Sequence, residues 1–310
     1  MRQFRFGVQI SSLTNGVDEL IRLARRAEHL GYSAIFLPDH LAGDQWSPIA
    51  ALGAIGAATT SIKIGALVFC NDYRHPLLLA QELATLHELS RGRVEFGIGA
   101  GWMKSDYEQS GIGFDSARTR IARLREAMLI VKELFETRRS SFSGEYYQLA
   151  DARMPPAGAF GRPGLIVGGG GPKMLELAAG MADIVGINVN LAIGSLGAQL
   201  VAEVGPEAFD QRIAWVRQAA GDRFEELELQ CLTFVAKVSA DARSWVTEMA
   251  PAFGVSGLDA LEIPIVLAGS VGEVCETLQS RRARFGLSYW VIHQHELDDF
   301  APVVAELAGR

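Results

Sequence analysis

The sequence switches repeatedly between short strand-like runs and longer segments with helical periodicity, and this rhythm limits the folds that it can adopt. Residues 4–10 alternate apolar with polar or small side chains, and apolar residues then recur at helical spacing from Val17 to Ala27. Strands that alternate with helices pair in parallel, so the pattern predicts an α/β fold. The later strand-like runs are residues 33–37, 63–68, 93–98, 165–168, 184–188, 227–238 and 288–293. The later helical segments are residues 48–60, 76–89, 117–135, 173–180, 207–220, 242–253 and 271–285.

Eight strand-like runs are enough to close a (β/α)8 barrel. An open doubly wound sheet usually carries Gly-x-Gly-x-x-Gly after its first strand, whereas residues 9–16 read QISSLTNG. Between Arg138 and Pro163 the rhythm breaks, because FSGEYYQL is followed by the Pro- and Gly-rich MPPAGAFGRPG. We therefore predict a (β/α)8 TIM barrel, one domain over residues 1–310, with a β-type insertion at about 138–163 after the fourth βα unit.

Charge and composition exclude several classes of function. Lys and Arg number 29 against 36 Asp and Glu, and a net charge of −7 argues against a nucleic-acid partner. The three cysteines, Cys70, Cys231 and Cys275, form no Cys-x-x-Cys motif and fit a reducing compartment. The first residues lack the apolar stretch of a signal peptide, and no window approaches the length of an apolar spanning helix. We expect a cytoplasmic protein without a membrane span.

Strand alternation places one ion pair inside the barrel. Glu95 and Arg5 both fall on the inward-facing positions of their strands, and both lie early in those strands. A buried carboxylate needs a partner, so we predict a structural Arg5–Glu95 pair low in the barrel. Chemistry in this fold lies at the opposite end, where the strands terminate.

One histidine stands at such a strand end. His40 follows the second strand directly, in a loop that also holds Asp39 and Trp46. A ring nitrogen at the mouth of the barrel suits a proton donor or acceptor. The alternative is that Asp39 or His40 only caps the loop.

Four glycines follow the fifth strand-like run and open a helix. Backbone N–H groups of Gly168, Gly169, Gly170 and Gly171, together with the positive helix end, could hold a phosphate, whereas the alternative is a tight turn. The run Gly99-Ala100-Gly101 lacks bulky side chains, so it could admit a flat ring or simply allow close packing.

Two other groups of residues are not assigned a catalytic or metal-binding role. His293 and His295 share a strand face, but no further pair with ligand spacing accompanies them apart from Asp39-His40, so we expect no metal site. Four arginines recur along one helix and are interpreted as a solvated face; they are Arg118, Arg120, Arg123 and Arg125.

Six segments then follow one another in an order that is typical of a known family. They are AEHLGY at 27–32, LPDH at 37–40, IGALV at 64–68, YRHP at 73–76, LSRGRVEFGIGAGW at 89–102 and IVGG at 166–169. Together they resemble the bacterial luciferase-like flavin and deazaflavin oxidoreductases, over nearly the whole chain. They are most similar to the actinobacterial branch that uses the deazaflavin coenzyme F420.

The resemblance implies an often dimeric barrel that holds an elongated cofactor with its tricyclic ring in the mouth, so a homodimer is expected. By position, Asp39 and His40 would lie by the ring, and Gly99, Ala100 and Gly101 would flank its edge. Leu67 and Val68 would occupy the bulge of the third strand, where relatives have a non-prolyl cis peptide. Gly168 to Gly171 would meet the phosphate.

The resemblance also implies hydride transfer between the ring and a small organic substrate, with His40 as the candidate for moving the accompanying proton. One departure is that the deazaflavin sugar-phosphate and alcohol dehydrogenases have a glutamate where Trp102 stands here. Trp46 and Trp102 instead suggest an aromatic, fairly apolar substrate pocket.

Three alternatives stay open at this point. An FMN-dependent monooxygenase of the same fold would use reduced flavin to activate oxygen. A non-catalytic deazaflavin- or flavin-binding protein is compatible with the missing glutamate, since a fold does not dictate function. The third alternative is a phosphosugar-binding barrel without redox chemistry.

Overall fold

The computed structural model describes residues 2–12, 16–43, 45–155, 160–191, 194 and 203–310. The strands are β1 (Arg5–Gln9), β2 (Ala34–Leu37), β3 (Lys63–Cys70), β4 (Val94–Gly99), β5 (Arg139–Ser143), β6 (Gln148–Arg153), β7 (Gly164–Gly169), β8 (Ile184–Ile187), β9 (Glu228–Leu232), β10 (Val235–Val238), β11 (Val266–Gly269) and β12 (Leu287–His293). The helices are α1 (Gly16–His29), α2 (Pro48–Ala58), α3 (Pro76–Leu89), α4 (Lys104–Ser110), α5 (Ala117–Thr137), α6 (Pro172–Met181), α7 (Pro206–Ala220), α8 (Ala242–Met249), α9 (Gly257–Glu262), α10 (Val271–Phe285) and α11 (Leu297–Leu307).

Eight of these strands form a closed parallel barrel, in the order β1, β12, β9, β8, β7, β4, β3, β2. The barrel closes where β1 pairs with β12, with Arg5 opposite Tyr289 and Gln9 opposite His293. The predicted (β/α)8 TIM barrel is therefore confirmed. Seven of the eight predicted barrel strands agree with the structure to within two residues at each end.

Local sequence signals explain where several helices begin. Proline occupies the first turn of α2, α3, α6 and α7, where its missing N–H has no helical partner to lose. Ser116 accepts a hydrogen bond from the backbone N–H of Thr119 at the start of α5. Ser270 and Glu273 form a capping box at the start of α10.

The insertion and the region after β9 form two small sheets outside the barrel. Strands β5 and β6 pair antiparallel, as expected for the β-type insertion after the fourth βα unit. The prediction of one strand over Leu227 to Val238 is wrong. The backbone N–H of Thr233 still donates to the carbonyl of Val291, but that of Phe234 donates to Ile265, so the chain leaves the barrel. It continues as β10, which pairs in parallel with the unpredicted β11.

Three helices were not predicted, and one is shorter than expected. Helices α4 and α9 have seven and six residues, too few for a clear apolar period. Helix α11 contains Pro302, which is unfavourable inside a helix, although its apolar residues pack into the core. The segment predicted as a helix over 242–253 ends at Met249 and continues as a 3-10 turn. In the described part of the chain, no helix has the length and apolar character needed to cross a bilayer.

An ion-pair network closes the lower end of the barrel. Glu95 is buried and paired with Arg5, as predicted, and Arg5 also lies 2.7 Å from a carboxylate oxygen of Glu228. The hydroxyl of Tyr289 donates to Glu95 at 2.8 Å, and burial raises the pKa of Tyr289 well above its ordinary value. Above this network the interior is filled by an apolar cluster of Ala34, Phe36, Ile166, Ile184, Tyr289 and Val291. The reacting end of the barrel therefore lies at the other end of the strands.

Candidate active site

The loop after β2 places His40 beside a carboxylate from helix α4. Nδ1 of His40 lies 2.7 Å from Oδ2 of Asp106. The His40 side chain is 22% exposed, whereas Asp106 is buried. The two residues approach each other because β2 and β4 both end at this face, and α4 begins shortly after β4.

Asp106 accepts hydrogen bonds on both carboxylate oxygens. The backbone N–H groups of Leu41 and Ala42 donate to Oδ1 at 3.0 and 2.7 Å, and the hydroxyl of Tyr73 donates to Oδ2 at 2.8 Å. Burial alone would raise the pKa of Asp106, but the hydrogen bonds from His40, Ala42 and Tyr73 lower it below its usual range. Asp106 is therefore an anion that can only accept, so Nδ1 of His40 carries the proton.

The second ring nitrogen of His40 is left for a ligand. Among the described residues, no protein group forms a hydrogen bond with Nε2. The ring of Trp102 lies edge-on to that of His40, with ring centroids 5.7 Å apart and an angle of 89° between the planes. A histidine with one nitrogen fixed by a carboxylate and the other open is arranged for proton transfer.

Asp39 was predicted to lie by the cofactor ring, but its carboxylate already pairs with other groups of the protein. Its carboxylate forms a bidentate pair with Arg74, at 2.5 and 3.0 Å, and accepts the backbone N–H of Cys70 at 2.9 Å. The side chain is buried. Asp39 thus ties the loop after β2 to the end of β3 and holds His40 in place.

A third carboxylate of this region has a buried side chain and pairs with one of the four arginines of α5. Asp72 receives two hydrogen bonds from Arg123, both at 2.8 Å, and one from the hydroxyl of Tyr107 at 2.9 Å. Arg120 is also buried, with its guanidinium 4.1 Å above the ring of Phe114. The interpretation of these arginines as a solvated face is therefore wrong for Arg120 and Arg123, because helical periodicity does not reveal a carboxylate that a loop brings to the helix.

The predicted bulge of β3 is present. The peptide bond between Leu67 and Val68 is cis, as expected, and the pairing of β3 with β4 shifts register between Ala66 and Phe69. Both residues are partly exposed, and the side-chain amide of Gln9 donates to the carbonyl of Leu67 at 3.0 Å.

Close packing accounts for Gly99 and Gly101. A Cβ at Gly99 would lie 2.8 Å from Cγ2 of Val68. Gly101 has φ +75°, and a Cβ there would lie 2.0 Å from the Tyr107 hydroxyl. These two positions thus fit the packing alternative, while Ala100 is partly exposed between them.

The four glycines from the end of β7 to the start of α6 divide into two kinds. A Cβ at Gly169 would lie 2.3 Å from Met174, and one at Gly170 would lie 2.2 Å from the backbone of Val189. Among the described residues, no atom lies closer than 3.6 Å to the Cβ position of Gly168 or Gly171, and Gly171 immediately precedes α6 without a side-chain cap. The structure therefore leaves space at the end of β7 and at the free N–H groups of α6.

The two tryptophans lie in different surroundings. Trp102 contacts His40, whereas Trp46 is 41% exposed and lines a shallow cleft. The other residues of that cleft are Ile10, Ser11, Ser12, Leu37, Pro38 and Gln45.

The His293 side chain is bound by backbone groups of the protein. Nε2 of His293 lies 3.0 Å from the carbonyl oxygen of Thr233, and the His293 side chain accepts the backbone N–H of Glu296. His295 stacks on His293 with ring centroids 5.8 Å apart. In the part of the chain that is described, no group of three or more His, Cys, Asp or Glu is placed to hold a metal ion.

Sequence reasoning missed Asp106 and predicted no role for Tyr73 or Arg74, although both belong to the YRHP segment at 73–76. Asp106 lies in α4, whose segment KSDYEQS is short and polar and gives no apolar period. Gly111, which ends α4 in the left-handed conformation with φ +75°, was the available signal for a short helix.

The model of the luciferase-like monooxygenase family matches residues 2–249. The chain belongs to this family. The family match confirms the resemblance to luciferase-like proteins that the sequence segments indicated.

The luciferase-like chain has curated relatives in actinobacteria. It is 34% identical over 190 residues to the F420-dependent glucose-6-phosphate dehydrogenase of Microbacterium testaceum, which covers 58% of this chain and 55% of that relative. It is 32% identical over 184 residues to the F420-dependent hydroxymycolic acid dehydrogenase of Mycobacterium tuberculosis, covering 57% and 51%. The chain thus spans little more than half the length of these relatives.

Solved structures of low sequence identity share the fold of the luciferase-like chain. The coenzyme F420 dependent tetrahydromethanopterin reductase of Methanopyrus kandleri matches with a TM-score of 0.79 and 17% identity, over 99% of this chain and 100% of the other. The monooxygenase RslO1 of Streptomyces bottropensis matches with a TM-score of 0.75 and 22% identity, over 98% of each.

Proposed function

We propose that this protein is a coenzyme F420-dependent oxidoreductase that transfers a hydride between the deazaflavin ring and a small organic substrate. The observation that carries the proposal is the His40–Asp106 pair, which leaves Nε2 of His40 open at the strand ends of the barrel. The actinobacterial relatives that are named as F420-dependent dehydrogenases support the choice of cofactor.

The residues present fit an elongated, phosphate-bearing cofactor. The space beside Gly168 and Gly171, with the free N–H groups that begin the ten-residue helix α6, would receive a phosphate. Leu67 and Val68 would back the ring, and Ala100 would lie near its edge between Gly99 and Gly101. Asp39 and Gly169 and Gly170 would act by shaping these loops, since packing and hydrogen bonds already occupy them.

When bound, the deazaflavin exchanges a hydride with the substrate, so that an alcohol losing that hydride and one proton becomes a carbonyl compound. His40 is the proposed catalytic residue, and its Nε2 takes the hydroxyl proton or returns it in the reverse direction. Asp106 keeps Nδ1 as the donor and stabilises the imidazolium that forms. Trp102 forms the wall beside His40, and its indole supplies no general base for this proton transfer.

Two further expectations belong to the same proposal. We infer a homodimer in the cytoplasm, with a small molecule as the substrate. Light scattering coupled to gel filtration would give twice the 33.5 kDa mass of the chain if the dimer forms, and a monomer would contradict it.

Cofactor titration tests the proposal directly. The purified protein is titrated with coenzyme F420 and with FMN, following tryptophan quenching and the absorbance of each cofactor. Tight binding of F420 with weak binding of FMN is the expected result. Preference for FMN would favour the monooxygenase alternative, and binding of neither would overturn the cofactor assignment.

A variant distinguishes an enzyme from a binding protein. His40→Ala should keep the affinity for F420 within a few fold and lose turnover of a substrate found by screening. Glu276→Ala, a change on the exposed side of α10, is the matched control and should retain both. Turnover by His40→Ala at the wild-type rate would remove the proposed catalytic role.

A further inference from the structure

We propose that the substrate of this site is an uncharged alcohol or carbonyl compound with an aryl or alkyl body, and not a sugar phosphate or another anion. This inference rests on the proposed function and adds the substrate class. It follows from how the charges around His40 are distributed.

Each arginine that reaches the surroundings of His40 is already neutralised or out of reach. Arg74 is bound to Asp39, and Arg123 is bound to Asp72, both through two hydrogen bonds. Arg120 is buried against the ring of Phe114 and donates to the backbone carbonyl of Asp115. An anionic substrate would have to break a buried ion pair to gain the guanidinium of Arg74 or Arg123, which leaves the abandoned carboxylate uncompensated.

The charge nearest to His40 is negative. Asp39 is paired with Arg74 and Asp72 with Arg123. Among the described residues no guanidinium pairs with Asp106, whose carboxylate lies 2.7 Å from the imidazole. A phosphate or carboxylate placed at Nε2 would be repelled by that charge in a poorly solvated site.

The cleft beside Trp46 presents neutral groups. Its described lining consists of apolar, serine and glutamine side chains. Gly194 lies against the backbone of Trp102, because a Cβ added at Gly194 would be 3.2 Å from the Trp102 carbonyl oxygen.

Two lysines lie at this end of the barrel but belong to other groups. Lys104 pairs with Glu108 at 2.9 Å, and Lys173 pairs with Glu176 at 2.9 Å on the helix that would meet the cofactor phosphate. Trp102 therefore offers an aromatic face, and His40 offers one polar atom, for a substrate that has one reacting oxygen and an apolar body. Oxidation of such an alcohol passes its carbinol hydride to the cofactor and its hydroxyl proton to Nε2, and reduction reverses both transfers.

A pair of ketones that differ by one charge tests the inference. Acetophenone and 4-acetylbenzoate share the reacting carbonyl, and only the second carries a carboxylate. Protein loaded with oxidised F420 cannot reduce either, so quenching of tryptophan emission gives both dissociation constants without turnover. We expect acetophenone to bind at least about tenfold more tightly, and the difference to shrink as salt screens the repulsion. Reduction rates with reduced F420 should follow the same order.

A rim variant provides the matched comparison. Leu41, 38% exposed and adjacent to His40, is replaced by Lys in one variant and by Gln in the other. Leu41→Lys should narrow the preference for acetophenone several fold, and Leu41→Gln should leave it unchanged. Equal or tighter binding of 4-acetylbenzoate or glucose 6-phosphate by the wild-type protein would overturn the inference while leaving the cofactor assignment intact. Binding of neither ketone by F420-loaded protein would overturn it as well, whereas failure to load F420 would overturn the proposed function itself.

Discussion

Asp106 and His40 are 66 positions apart in the chain, yet Oδ2 of the first lies 2.7 Å from Nδ1 of the second. The carboxylate receives two backbone N–H groups from the loop that carries His40, so it orients both the ring and the loop. Asp106 is thus a positioning residue that acts through His40.

Replacement of Asp106 by Asn should lower kcat by about 10²- to 10⁴-fold, because an amide can donate to Nδ1 and turn the ring to the wrong tautomer. The affinity for F420 should stay within a few fold of wild type, and the pH profile of kcat should change shape. Tyr73→Phe removes one of the hydrogen bonds to the same oxygen and should cost far less. Steady-state kinetics of the wild type and of both variants across pH 5–9 would measure kcat and its pH profile. An Asp106→Asn enzyme with wild-type kcat would contradict the role of this pair.

Gly170→Ala should destabilise the protein by roughly 1–3 kcal/mol, because the new Cβ would lie 2.2 Å from the backbone of Val189. Gly168→Ala is the matched control, since the nearest described atom lies 3.6 Å from its Cβ position. That variant should keep the stability and weaken F420 binding, as its methyl group would fill the space proposed for the cofactor. Urea unfolding and the cofactor titration measure the two effects separately. Equal stability losses in both variants would show that packing does not distinguish these glycines.

Glu28→Gln should lose a pH-dependent stabilisation of about 1 kcal/mol at pH 7. The Glu28 carboxylate accepts the backbone N–H groups of Thr60, Ser61 and Ile62 at 2.8, 2.6 and 3.0 Å. Burial opposes the shift, but these hydrogen bonds lower its pKa from 4.5 to about 2. Because the pKa is lower in the folded state, the stabilisation is complete above pH 4.5 and disappears as the pH falls towards 2.

Urea unfolding at pH 7 and at pH 3 would test this dependence on pH. The difference between wild type and Glu28→Gln should be larger at pH 7 than at pH 3. Glu276→Gln on an exposed surface serves as the control and should show little difference at either pH. A Glu28→Gln effect that is the same at both pH values would rule out the carboxylate as its source.

Arg5→Met should destabilise the barrel by about 3–5 kcal/mol, because it leaves the buried carboxylates of Glu95 and Glu228 without their shared guanidinium. Lys63→Met removes a more exposed cation, 3.3 Å from Glu95, and should cost less than about 1 kcal/mol. Thermal unfolding of the two variants gives the comparison. A smaller loss for Arg5→Met than for Lys63→Met would contradict the assignment of Arg5 as the principal partner.

The sequence was sufficient to predict the barrel because its strands and helices differ clearly in apolar period. It also predicted the Arg5–Glu95 pair, since alternation alone places both side chains inside. The cis peptide at Leu67–Val68 was expected from the resemblance to the family. The sequence could not predict the break after Thr233, because both halves of the run are apolar and only pairing with distant strands separates them.

At the candidate site, position on a strand end predicted His40 but not its partners. Asp39 and Asp106 are equally polar in sequence, and only the fold distinguishes the carboxylate that meets Arg74 from the one that meets His40. The same holds for Arg123, whose helical spacing is that of a surface residue although a loop carboxylate binds it. Long-range pairing of charged side chains leaves no local pattern.

Closure of the barrel by β1 and β12 affects how this protein is made. Residues 5–9 are synthesised long before their partners at 287–293. Until β12 has emerged, β1 has β2 as a barrel neighbour on one edge, and its other edge stays open to strands of neighbouring chains. The barrel should therefore close only after β12 has been synthesised, and slow translation of the intervening residues would lengthen the period in which chaperones must protect that edge.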